Sequence, residues 1–254
     1  MRNKLYVDGV DLSTFGVYIS GAGTYSAPEK EYNWYDVPAR NGAVLGYERR
    51  LSNIRVTYPC GIYTNFEQNI SDLRNFLLSR DGLVRISDTY HTDEFRMGVY
   101  AGPFEPSVER KLDAGRLDLL FDCQPQRWLV SGETVINKTG TGNITVTNPT
   151  QFEAKPFLRV YGYGTVDFGG YYTGTRILIA DYGLEYIDID CESMNCYSGD
   201  TKLCEYVTFI ENATVAGVDA PTLKPGVNNI NFADATGFTG SMVSAKITPR
   251  WWEV

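Results

Sequence analysis

Apolar positions recur along this chain in two rhythms. Between Asn53 and Tyr58 polar and apolar side chains alternate, the period of a strand with one buried face. Runs of similar character follow at LVRIS (83–87), EFRMGVY (94–100), RLDLLFDC (116–123) and PQRWL (125–129). One stretch keeps the other period: Phe66, Ile70, Leu73 and Leu77 lie at i, i+4, i+7 and i+11, which places them on one face of a helix over about 65–80. Thr64 and Glu67 have capping-box spacing at its start. Asp81-Gly82 closes it, with Gly82 suited to the left-handed position after the last turn.

Nearer the N-terminus, strand-like residues turn at Asp8-Gly9 and resume at VYIS (17–20). From Tyr32 to Pro59 two extended runs flank PARNGA (38–43). Asn41 and Gly42 both tolerate positive φ, so the pair predicts the turn of a long hairpin, with YERRLSNIRVTY (47–58) as its return strand. Past Gly132 the helical period disappears. Only short strands remain, at ITV (144–146), PFLRV (156–160), TRILI (175–179), EYIDID (185–190), YVTFI (206–210), NINF (229–232) and VSAKI (243–247). Their recurrence predicts a two-sheet sandwich. The pattern thus gives a mainly β chain: a β-rich first domain with one helix, 1–134, and an all-β second domain, 135–254.

Composition narrows the function classes. The chain has 254 residues, 43% of them hydrophobic, with 18 Tyr and 25 Gly, enough for a real core and biased toward sheet. Its net charge is −8 and both domains are acidic, which gives no footprint for nucleic acid. MRNKLYVDGV (1–10) has no apolar stretch of signal-peptide length, and no long apolar run predicts a membrane span. The expectation is a protein made and folded in a cytoplasm, its thiols free.

The densest chemistry is IDCESMNCY (189–197) followed by Cys204. Cys191 and Cys196 have a spacing that zinc tolerates, but the single histidine, His91, lies in the other domain, within a polar loop. The alternation of Tyr186, Asp188 and Asp190 with Ile187 and Ile189 predicts a hairpin between Asp190 and Cys204, turning near Ser198-Gly199-Asp200. Cysteines flanking that hairpin, a disulfide formed outside the cell and a metal site are the three readings, and the first is preferred. Asp188, Asp190 and Glu192 share one strand face, which raises a paired-carboxylate hydrolase as an idea; an acidic solvent face is the plainer account. With one histidine and none of the G-x-S-x-G, P-loop or G-x-G-x-x-G patterns, no enzyme and no cofactor is expected. Tyr161, Tyr163, Tyr171 and Tyr172 are candidates to stack on sugar rings or to fill a core.

Five stretches in order, PARNG (38–42) with NIRVTY (53–58), FDCQPQRWL (121–129), IDIDCE (187–192), LKPGVNNI (223–230) and ITPRWWEV (247–254), resemble the distal tail protein (Dit) family of siphophages, in its compact form. The resemblance implies an N-terminal β-sandwich with one helix and an extended hairpin arm at about 32–59, and a C-terminal galectin-like sandwich. It implies a hexameric ring at the virion tail tip, assembled in the host cytoplasm, that joins tail tube to baseplate. Its implied partners are other copies of itself, the major tail tube protein, the tape-measure protein and the tail-associated lysin or tip protein, with room for receptor-binding proteins. Neither nucleic acid nor membrane insertion is implied. On this reading Pro38, Arg40, Asn41 and Gly42 are ring-contact candidates at the arm tip, and Arg250, Trp251 and Trp252 are contact candidates near the C-terminus, one Trp facing a core. The alternative is a carbohydrate-binding module that recognises host cell-surface saccharide through the C-terminal sandwich.

Overall fold

The computed structural model describes residues 2–21, 23–46, 50–109, 112–169, 174–211, 215–216, 219–234, 242 and 244–254. The chain divides into two compact units, Met1–Arg127 and Trp128–Glu253. The protein is mainly β, and every strand pair whose register is defined is antiparallel.

The first unit is built on one curled sheet. Its strands run in the order Val10–Asp11, Leu5–Val7, Val84–Asp88, Glu94–Tyr100, Ala114–Cys123, Ile54–Ile62, Val17–Ile19. An antiparallel bridge between Asn3 and Ile19, with the Ile19 amide 2.9 Å from the Asn3 carbonyl, brings the last strand back to the first. The two layers of this sandwich are therefore halves of one sheet. The alternation read from the sequence becomes the inside of the curl: Val56, Tyr58, Cys60 and Ile62 face Leu117, Leu119, Phe121 and Cys123 within one buried cluster. Tyr58 and Phe121 meet edge to face at 6.0 Å. Burying a side chain the size of Phe121 completely contributes about 1.5–3 kcal/mol.

The helix spans Phe66–Leu78 and buries Phe66, Leu73 and Leu77, while Ile70 packs half-buried against the same cluster. Its start corrects the sequence reading. The N-cap is Asn65, in left-handed conformation at φ 46, and its side chain does not cap. The Asp113 carboxylate instead accepts from the amides of Asn65 (2.8 Å) and Phe66 (3.1 Å). A carboxylate also suits the positive end of the helix dipole, so a distant residue displaces the local Thr64–Glu67 box. The helix ends at Leu78 with Ser79 as its C-cap, and left-handed Gly82 (φ 78) belongs to the turn beyond rather than to the cap.

The hairpin also differs from the expectation. Asn33–Tyr35 pairs with Val44–Gly46 in a two-stranded sheet of its own. Further hydrogen bonds from Glu31 to Arg50 and from Ser52 to Glu29, with a Lys30–Leu51 bridge, carry the ladder back toward its base. Residues 47–49 lie outside the described set. Ile54–Tyr58, expected in the return strand, belongs to the curled sheet, because its alternating apolar residues find a core there.

The second unit packs two six-stranded sheets. One runs Ile136–Thr139, Ser244–Thr248, Phe157–Tyr161, Ile187–Asp190, Asn195–Ser198, Thr201–Lys202; the other runs Gly142–Asn148, Gly226–Ala233, Gly164–Phe168, Thr175–Ile179, Val207–Glu211, Val215–Ala216. Leu158, Val160, Ile187, Ile189 and Ile247 of the first share a buried cluster with Val166, Ile177, Ile230 and Phe232 of the second. The region from Ile187 to Lys202 is a three-stranded meander rather than one hairpin. It turns first at 191–194 and again at Gly199-Asp200.

Candidate functional site

Exposed apolar side chains cluster on the arm. Strand alternation puts Tyr32 and Trp34 on one side of the ribbon, their rings 6.5 Å apart, and Tyr35 on the other. Trp34 is 64% exposed, and Tyr32, Tyr35, Val37 and Leu45 are exposed as well. No third strand among the described residues pairs with the ribbon, so both of its edges are open. A two-stranded ribbon without a packed face is marginal in water, and exposed aromatic rings beside an open edge are the features of a surface that takes a partner.

Pro38, Arg40, Asn41 and Gly42 all sit, exposed, in the loop that joins the two arm strands. The turn is not a tight Asn-Gly pair. The Arg40 amide bonds the Val37 carbonyl at 3.2 Å, Ala39 takes φ 64 and Gly42 takes φ 79. Sequence reasoning chose the loop and passed over the aromatic strands beside it. The signal was present in YNWY (32–35), four residues with three large rings.

Arg250, Trp251 and Trp252 are engaged inside the second unit. Trp251 is buried in its core. Trp252 stacks on Phe152 at 4.4 Å and donates from Nε1 to the Glu153 carbonyl at 2.9 Å. Arg250, with φ 60, reaches Asp190 at 2.6 Å and lies over the Phe157 ring.

The three carboxylates raised as catalysts each have a cationic neighbour. Asp188, itself buried, receives both Nε and Nη2 of Arg159 at 2.7 Å; Asp190 pairs with Arg250; Glu192 lies 3.8 Å from Lys155. Burial works to raise the Asp190 pKa, but hydrogen bonding and charge from Arg250, with the amides of Glu192 and Ser193, outweigh it and hold the pKa below the ordinary 3.8. The Arg159 guanidinium is held protonated, first by its hydrogen bonds to Asp188. This is the arrangement of structural ion pairs, not of an acid beside a base.

The cysteines do not converge on a cation: no group of three or more His, Cys, Asp or Glu side chains among the described residues could hold one. Cys191 sits in the first turn of the meander and is buried; Cys196 is buried in the middle strand; Cys204 is exposed at the start of a short 3-10 turn. His91 lies in a loop, its Nδ1 3.4 Å from Asp88 and its ring edge-on to Tyr25.

Tyr161 and Tyr186 stand 6.1 Å apart on the outer face of the second unit, with Arg159 over Tyr186 and Lys246 near Tyr161. Tyr163 packs half-buried against the core. Tyr171 and Tyr172 lie outside the described residues. No helix among the described residues is long and apolar enough to cross a membrane.

No protein-family model matches the sequence, and no curated protein matches it. Solved structures do match. The chain aligns with the SPP1 Dit protein, described as a paradigm of hub adsorption apparatus in Gram-positive infecting phages, with a TM-score of 0.68 and 18% identity over 100% of both chains. A chain of the phage P2 baseplate in its activated conformation with Ca gives a TM-score of 0.46 and 13% identity over 97% of this chain and 98% of that one. The first of these likenesses shows the fold, which is similar over the full length of both chains.

Proposed function

We propose that this chain is a structural distal tail protein, the hub of a siphophage tail tip. On this reading copies of the first unit close into a ring, of six by analogy, between tail tube and baseplate. The observation that carries the reading is the match to the SPP1 hub protein over the full length of both chains, with neither unit left over. The arm supports it independently. Ring closure needs a heterologous contact, one patch meeting a different patch on the next copy. An open-edged ribbon bearing Tyr32, Trp34 and Tyr35 is such a patch, with Pro38, Arg40, Asn41 and Gly42 at its tip. The partners are then the neighbouring copy, the tail tube protein, the tape-measure protein, the lysin or tip protein and, in some tails, receptor-binding proteins. The role is scaffolding without a catalytic step, at the virion tail tip, after assembly in the host cytoplasm.

Light scattering over a range of concentrations, followed by negative-stain imaging, tests the ring. Growth toward six times 28.4 kDa with annular particles is the expected result. If the protein stays monomeric alone and also fails to form rings when mixed with the tail tube protein, the hub reading is lost.

The second reading, saccharide recognition by the second unit, draws on the outer-face strip of Tyr161, Arg159, Tyr186 and Lys246, where rings and cations sit together. A glycan array probed with the whole protein decides it. Signal lost in Tyr186→Ala supports the reading, and no signal at high protein concentration ends it.

A further inference from the structure

The meander of the second unit places two thiols in one another's reach. The Cys204 sulfur accepts from the Cys196 amide at 3.2 Å and lies 3.5 Å from the Cys196 carbonyl oxygen. Both contacts are to main-chain groups that flank the Cys196 Cα, so the sulfur hangs beside the root of the Cys196 side chain. The backbone holds it there. The Leu203 amide bonds the Cys196 carbonyl at 2.8 Å, and the 3-10 turn at Cys204–Tyr206 swings Cys204 back over the strand. The two thiols also hydrogen-bond each other side chain to side chain, so rotation about the Cα–Cβ bonds moves sulfur toward the S–S distance of about 2 Å that a disulfide needs.

We propose that Cys196 and Cys204 are a latent disulfide, reduced where the chain is made and closed by a small-molecule disulfide once it meets an oxidising medium. The proposal does not depend on the hub reading.

The two thiols have unequal roles. Cys204 is exposed and meets the oxidant first. Its thiolate attacks one sulfur of the small disulfide; that S–S bond breaks, and one small thiolate leaves with the electron pair. Cys196 then gives up its proton and attacks the Cys204 sulfur of the mixed disulfide, expelling the second small thiolate. Two protein thiols are oxidised and one small disulfide is reduced to two thiols. The second step is the slow one, because burial, the largest cause, raises the pKa of the Cys196 thiol and leaves little of it as thiolate. Cys191 is worse placed for either role. It is fully buried, and its amide is tied to the Pro156 carbonyl at 3.2 Å rather than to the strand that carries Cys196.

The test treats the folded full-length protein with oxidised glutathione at mildly alkaline pH and follows intact mass, titratable thiols and peptide mapping without reductant. The expected result is a loss of two hydrogens, titratable thiols falling from five to three, and one cross-linked peptide joining Cys196 to Cys204. Cys204→Ser abolishes the cross-link; Cys191→Ser retains it. Closure quickens as the pH rises. A glutathione adduct that persists on Cys204, a Cys191–Cys196 link, a cross-link between two chains or no reaction each overturns the proposal.

Discussion

Arg250 closes on Asp190 at 2.6 Å, tying the segment after the strand Ser244–Thr248 to the end of the strand Ile187–Asp190. Arg250 holds this position at a backbone conformation (φ 60) that side chains disfavour. Two opposed terms therefore meet at one residue. Arg250→Ala loses the pair and keeps the backbone penalty, and is expected to cost about 1–3 kcal/mol in urea unfolding. Arg250→Gly also loses the pair but relieves about 1 kcal/mol of strain, so it should be the milder variant. The reverse order would show that the backbone is relaxed there.

The same pair gives a pH dependence of defined sign. The folded Asp190 pKa lies below its ordinary 3.8, so its contribution is fully present above that value and is lost as pH falls through the folded pKa. Wild type and Asp190→Asn should differ most in stability near about pH 6, and the gap should shrink as the pH is lowered below 3.8. Denaturant midpoints across that range measure this. A constant gap would mean that the carboxylate charge contributes nothing.

Gly132 is a second contact that fixes the C-terminal segment. Its carbonyl accepts from the Arg250 amide at 2.9 Å, and a Cβ on Gly132 would collide with the backbone nitrogen of Trp251. Because the obstacle is main chain, no rotamer relieves it. Gly132→Ala should lower stability by about 2 kcal/mol or more, within the range for overpacking a close-packed site. Circular dichroism melting that leaves Gly132→Ala equal to wild type would contradict this.

On the arm, Trp34 separates folding from association. With its side chain largely in solvent, Trp34→Ser should change the melting free energy by no more than about 0.5 kcal/mol. The same substitution should weaken self-association measured by light scattering at matched concentration. A large loss of stability without a change in mass would make Trp34 a folding residue instead.

The fold class was legible because its signals are local. The alternation of Ile54, Val56 and Tyr58 and the register of Phe66, Leu73 and Leu77 each report one buried face. Strands such as Ile136–Thr139 and Gly164–Phe168 went unread, being short and bordered by turn residues that mask their period. The helix cap was misread because Asp113 lies far along the chain, and a pattern search over a few residues cannot see it. The arm was half legible. Asn41-Gly42 marked a turn, but the exposure of Trp34 depends on the absence of any packed partner, a property of the whole fold. Asp188 looked like a solvent carboxylate and is buried, because Arg159 directly across the ladder covers it.

The cap supplied by Asp113 also sets an order of events at the ribosome. The helix ends at residue 78, yet the carboxylate that satisfies its first amides is translated more than thirty codons later. Until that codon has been read and its residue has cleared the exit tunnel, the segment can coil and uncoil but lacks its clasp. The strand Ala114–Cys123, which begins at the very next residue, is also the one that completes the curl around Ile54–Ile62. Neither the native cap nor the pairing with Ile54–Ile62 can therefore form before residue 113 and the strand after it have left the tunnel.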